Sequence, residues 1–137
     1  MEGFDHERLD VYGVAIEFVG LADAIVERLP RGRAYLADQL HRASMSIPLN
    51  IAEGAGEYSK KDKARFYRMG LRSATECAAI LDVCRKLELA ETARLDSGRA
   101  LLLRIVSMLT RLIRSLGESG TGTGTGTRPG TGTGTGT

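Results

Sequence analysis

The sequence predicts an all-α fold, an antiparallel up-down-up-down four-helix bundle. Three observations predict it. Apolar residues recur at steps of three and four along four segments, and no segment alternates as a half-buried strand does. Proline, glycine and a capping serine punctuate the boundaries: Pro30 and Gly32, Gly54 and Gly56, Ser59, Gly117. The connections between segments are short, which favours antiparallel neighbours.

The first helix is expected from about Glu7 to Leu29. Leu9, Tyr12, Ile16 and Val19 make one apolar line; Val11, Ala15, Phe18, Ala22, Ile25 and Leu29 make a second. Together they form a wide stripe, and such stripes are expected to leave apolar surface over after one bundle closes, at Val11, Phe18 and Ile25 or at Leu101 and Leu103 of the last helix, as an oligomer interface would need. Pro30 and Gly32 stop it. The second helix is expected from about Ala34 to Ala52, with Leu36, Leu40, Ala43, Ile47 and Ile51 on its apolar line. Pro48 removes a backbone donor and crowds the carbonyl four residues back, so a kink is expected near Ser44. Gly54 and Gly56 are expected to end the segment.

Ser59-Lys60-Lys61-Asp62 reads as a capping box that opens the third helix. That helix should run to about Leu87 with Phe66, Gly70, Ser73, Cys77, Ile80, Cys84 and Leu87 on its core line. The fourth should run from about Ala93 to Leu116, with Leu102, Ile105, Leu109, Leu112 and Leu116 inside and Gly117 as its cap. Helices of roughly 20 residues are about 30 Å long. Residues 118–137 are a different material, near-pure Gly-Thr repeats broken at Arg128-Pro129. Such a segment offers too little apolar surface to offset ordering, so a disordered tail is expected beside a single domain of residues 1–117.

Composition narrows the class. Of 137 residues 42% are hydrophobic and 26% charged, ordinary for a soluble protein. Net charge is only +2, so the molecule as a whole is not a polycation. No apolar run approaches the 18 residues of a membrane span. Met1-Glu2-Gly3-Phe4-Asp5 is acidic and lacks the regions of a signal peptide, which points to the cytoplasm. Cys77 and Cys84 sit seven apart on one helix face, about 10 Å, too far for an intrahelical disulfide. They read as small buried apolar residues. Neither His6 nor His41 has metal-ligand spacing with them, and no cofactor is expected.

Charge is unevenly placed. Residues 2–29 carry seven acids and two arginines; residues 60–72 carry six bases and one acid. Lys61, Arg65, Arg68 and Arg72 follow steps of four, three and four and line one helix face. Arg104, Arg111 and Arg114 make a similar line on the last helix. Two readings are open: a phosphate-binding surface, or a solvated face that pairs with acids of the first helix. Aromatic interleaving is sparse, since Phe66 belongs to the expected core.

A second polar line follows Gln39, Arg42, Ser46, Asn50 and Glu53, flanked by Ile47, Leu49 and Ile51. A line this regular reads as a hydrogen-bonded seam that fixes helix register. Catalysis is the alternative reading, but Ser46 has no histidine at a neighbouring helical step. Gly54-Ala55-Gly56 lacks the Lys-Ser or Lys-Thr of a phosphate-cradling loop.

Four blocks, taken together, resemble a known family: Phe4…Leu9-Asp10-Val11-Tyr12, Leu36…Gln39-Leu40-His41-Arg42-Ala43, Ser46 through Gly54, and Arg65-Phe66…Ser73…Glu76. The family is that of small bacterial four-helix bundle proteins whose first recognised members are encoded in intervening sequences of large-subunit ribosomal RNA genes. The accessory variability determinant of diversity-generating retroelements is a more distant relative. The resemblance spans about Phe4 to Gly117. It implies a non-enzymatic up-down bundle and a homo-oligomer, with ring-like pentamers among its members. It also implies, from the retroelement relatives, partners such as RNA, DNA or a reverse transcriptase held by basic surfaces. Two residues depart from the pattern: Tyr12 stands where the family usually has tryptophan, and Arg72 where it usually has glycine before the serine. Arg72 implies a looser helix contact or an exposed position. The Gly-Thr segment has no counterpart in the family.

The residues thus support two readings of function. One is a homo-oligomeric bundle that binds nucleic acid, or a nucleic-acid enzyme, through basic helix faces. The other is a self-assembly module whose basic and acidic faces pair between subunits.

Overall fold

A computed structural model describes residues 3–117, and the segment expected to be a disordered tail lies outside the described residues. A short 3-10 turn, Asp5–Arg8, precedes four helices: α1 (Asp10–Glu27), α2 (Ala34–Ala55), α3 (Lys60–Lys86) and α4 (Thr92–Ser115). There is no strand among the described residues.

Each boundary has a local cause. Leu9 is extended (φ −93°, ψ 121°), so α1 starts at Asp10 and not at Glu7. Ser59 Oγ accepts from the Asp62 N–H at 3.0 Å, the forward half of the expected capping box. Gly117 takes φ +82° and donates to the Arg114 carbonyl at 2.9 Å, closing α4 as expected. The end of α3 was less legible. Glu88 adopts φ 54°, a position glycine normally fills, and Leu89 N–H reaches back to the Cys84 carbonyl at 2.9 Å.

Packing partners fix the topology. Along α2 and α3, Arg42 meets Glu76, Ser46 meets Ser73, Asn50 and Ile47 lie against Gly70, and Gly54 lies against Tyr67. One series climbs while the other descends, so the pair is antiparallel. The same holds for α3 and α4, where Gly70 meets Leu109, Leu81 meets Gly98 and Arg85 meets Asp96. Helix α1 packs on α2 and on α4, and the backbones of the diagonal pairs stay apart. The result is a closed four-helix bundle around Phe18, Ile25, Leu40, Ile47, Ile51, Leu95, Ile105, Leu109 and Ile113, all fully buried.

Four expectations need correction. Val11, Phe18 and Ile25, expected to remain as outer apolar surface, are 3%, 0% and 1% exposed. They fall at seven-residue steps on the same seam as Ala15 and Ala22, which is the inner face of α1. On α3 the expected core aromatic was Phe66, but Tyr67 is the buried one and Phe66 is only half-buried. Tyr67 takes the inside because Gly54 leaves room for its ring. Leu87 at the end of that line is exposed. On α4, Ile113 replaces Leu112 on the inner line because the spacing after Leu109 lengthens to four; Leu112 and Leu116 stay partly exposed. Finally, α2 extends past Gly54 to Ala55, so Gly54 is a packing glycine and Gly56 the cap.

Candidate nucleic-acid interface

The two basic lines lie on neighbouring helices. On α3, Lys61, Arg65 and Arg72 are exposed and Arg68 is half-buried. On α4, Arg104, Arg111 and Arg114 are all exposed. The antiparallel register brings part of each line to one end of the bundle. Gly70 faces Leu109. One turn further toward the α3 N-terminus lie Arg68 and Arg65, level with Arg111 and Arg114 near the α4 C-terminus. Arg72 and Arg104 lie on the other side of that level.

The charge of α3 and α4 is uneven along the same axis, although Glu53 and Glu57 at the end of α2 bring acids to the same end. Residues 60–75 and 100–117 hold nine bases and one acid, while residues 76–99 hold five acids and four bases. A local excess of this size attracts polyanions even though the whole chain is close to neutral.

Several of these bases also make contacts within the chain. Lys63 Nζ donates to the Ala55 carbonyl at 2.9 Å and to the Gly54 carbonyl at 3.4 Å, closing the C-terminus of α2. Spacing alone did not reveal this role, because the acceptors belong to another helix. Arg65 lies over the Phe66 ring, 4.5 Å from its centroid. Arg111 Nη1 donates to Ser107 Oγ at 3.0 Å. Arg72, one of the two departures from the family pattern, is exposed on α3.

The polar line of α2 divides into two parts. Ser46 Oγ accepts from Ser73 Oγ at 2.8 Å and from Asn50 Nδ2 at 2.9 Å, and Asn50 also donates to the Ser46 carbonyl at 2.9 Å. This cluster is half-buried between α2 and α3. Arg42 Nη2 donates to Glu76 Oε2 at 2.6 Å at a more exposed level. Gln39 and Glu53 are exposed and join neither part. Ser73 and Glu76, the α3 partners, were not placed in the line because they lie on another helix. Ser46 is flanked by Asn50 and Ser73, neither of which is a base that would activate it.

Both cysteines are buried. Burial first, and the Glu76 carboxylate second, push the Cys77 thiol up to about 12, with Arg42 opposing. Burial likewise raises Cys84. Both stay protonated near neutrality, as packed apolar groups do. Among the described residues, no group of three potential ligands from His, Cys, Asp and Glu converges. No described helix is long and apolar enough to cross a membrane.

A family model described as 23S rRNA-intervening sequence protein matches residues 7–111. The matched span covers almost the whole bundle, from just before α1 to the last turn of α4. No curated protein matches the chain.

Proposed function

The chain belongs to the 23S rRNA-intervening sequence protein family, and on that premise we propose that it is a non-catalytic bundle that binds nucleic acid through the basic end of α3 and α4. One observation carries this reading: the register that sets Arg65 and Arg68 level with Arg111 and Arg114. Guanidinium groups on two neighbouring convex helix faces suit a phosphate backbone and need no base readout. The same end suits a nucleic-acid enzyme such as a reverse transcriptase as a partner already carrying its template. The test is a titration of labelled RNA at rising salt. Affinity should fall linearly on a log–log plot, with a slope set by the number of phosphates contacted. Affinity that ignores salt would contradict the proposal.

A homo-oligomer is a second proposal, and a different observation favours it. Met45, Leu49 and Met69 are 50%, 59% and 39% exposed, and the α2–α3 register puts Leu49 and Met69 at one level. Clustered exposed apolar side chains mark interaction surfaces. A ring, pentameric as in relatives, would repeat the basic end around its axis. The exposed acids Asp10 and Glu17 of α1 offer the alternative, a self-assembly module in which acidic and basic faces pair. Light scattering that gives a monomer mass at micromolar concentration would overturn both.

A further inference from the structure

Tyr58 is 101% exposed, more than any other large hydrophobic side chain in the described protein. It lies in the connection between α2 and α3, immediately before Ser59, Lys60 and Lys61. That connection is fixed on both sides. Gly56 N–H donates to the Ala52 carbonyl and Glu57 N–H to the Gly54 carbonyl, each at 3.2 Å. On the far side Ser59 caps α3, and Lys63 Nζ ties α3 back to the end of α2. The ring is therefore displayed by a short held turn, with nothing of its own chain on either face.

The surroundings supply the complementary half. Lys60, Lys61 and Arg65 are exposed within two turns of the ring and belong to the basic end of the bundle. Phe66 cannot serve in its place, being half-buried with the Arg65 guanidinium over one face. An uncovered aromatic face beside cationic side chains is the pairing that binds single strands: cations follow the backbone and the ring stacks on a base. A duplex keeps its bases stacked inside and offers such a ring nothing comparable.

We infer that Tyr58 is a base-stacking platform, and that the basic end prefers single-stranded nucleic acid to duplex. The inference rests on the nucleic-acid reading of that end. It adds the class of strand and the residue that selects it.

The experiment uses the full chain with fluorescein-labelled oligouridylate, oligothymidylate of the same length, and a duplex of that length. Tyr58→Ala should weaken single-strand binding about tenfold. It should leave duplex binding and the salt slope unchanged, because the phosphate contacts remain. Tyr58→Phe should bind as the unmodified protein does. The chain has no tryptophan, so Tyr58→Trp installs a single reporter whose emission should be quenched as oligouridylate saturates. Equal loss with oligouridylate and oligothymidylate assigns the contact to bases in general; loss with one alone assigns it to RNA or to DNA. Unchanged single-strand affinity in Tyr58→Ala, or an unquenched tryptophan at saturation, would overturn the inference while leaving salt-dependent binding intact. No binding of any probe by the unmodified protein at low salt would overturn the parent proposal as well.

Discussion

Tyr67 lies across Gly54 so closely that a methyl group on the glycine would come within 2.7 Å of the ring and 3.2 Å of the Lys63 carbonyl. The contact sets how near α2 and α3 approach at the basic end, and it explains why Tyr67 and not Phe66 is inside. Gly54→Ala meets two opposing effects. Better helix propensity gains about 1 kcal/mol; overpacking costs about 1–3 kcal/mol. The backbone carbonyl cannot rotate away, so net destabilisation is expected by urea unfolding. Gly20→Ala is the control: nothing lies within 4 Å of that position in α1, and it should stabilise by about 0.5–1 kcal/mol.

The Ser46 cluster should matter more than the ion pair beside it. Arg42 and Glu76 approach to 2.6 Å but are 63% and 38% exposed, so Arg42→Ala should cost less than about 1 kcal/mol. Ser46→Ala removes the acceptor shared by Asn50 and Ser73 in a half-buried site. A double-mutant cycle of Ser46→Ala with Ser73→Ala should give a coupling of about 0.5–1.5 kcal/mol. Additive losses would show that the hydroxyl pair fixes nothing.

Cys77 gives a pH signature. Its thiol has the ordinary value of 9.0 when unfolded and is pushed up to about 12 by burial when folded. A raised folded value means that the unfolded state loses its proton first. The contribution to stability is therefore complete below about pH 9 and declines as pH rises toward about 12. The urea midpoint of the unmodified protein should fall more steeply across that window than that of Cys77→Ala. An aromatic disulfide reagent should leave both cysteines untouched in the native protein and react with both in denaturant.

Much of the fold is legible in the sequence because helix period and capping residues are local signals. Ser59, Gly117 and the Leu36–Ile51 line act as their types and spacing indicate. What escaped depends on the partner helix. A helix with apolar residues on two lines does not say which line faces in, so Val11, Phe18 and Ile25 were expected at the outer surface and form the seam. Phe66 and Tyr67 differ by one step of helical rotation, and the choice rests with Gly54, across the interface. Lys63 counts as a surface cation until the end of α2 is known to need a donor. The same limit holds for the candidate site. Spacing places Lys61, Arg65, Arg68 and Arg72 on one face, but only the register with α4 brings Arg111 and Arg114 to their level.

The central claim is that this shared basic end binds nucleic acid. The most direct test is fluorescence anisotropy of labelled oligouridylate at low salt with two charge-reversal variants, Arg65→Glu with Arg72→Glu and Arg111→Glu with Arg114→Glu. Light scattering on the same samples reports mass, and circular dichroism reports helix content. The account predicts salt-sensitive binding by the unmodified protein and a loss of at least about tenfold in each variant, at unchanged mass and helicity. Equal affinity in all three proteins, or no affinity of the unmodified protein, would contradict it.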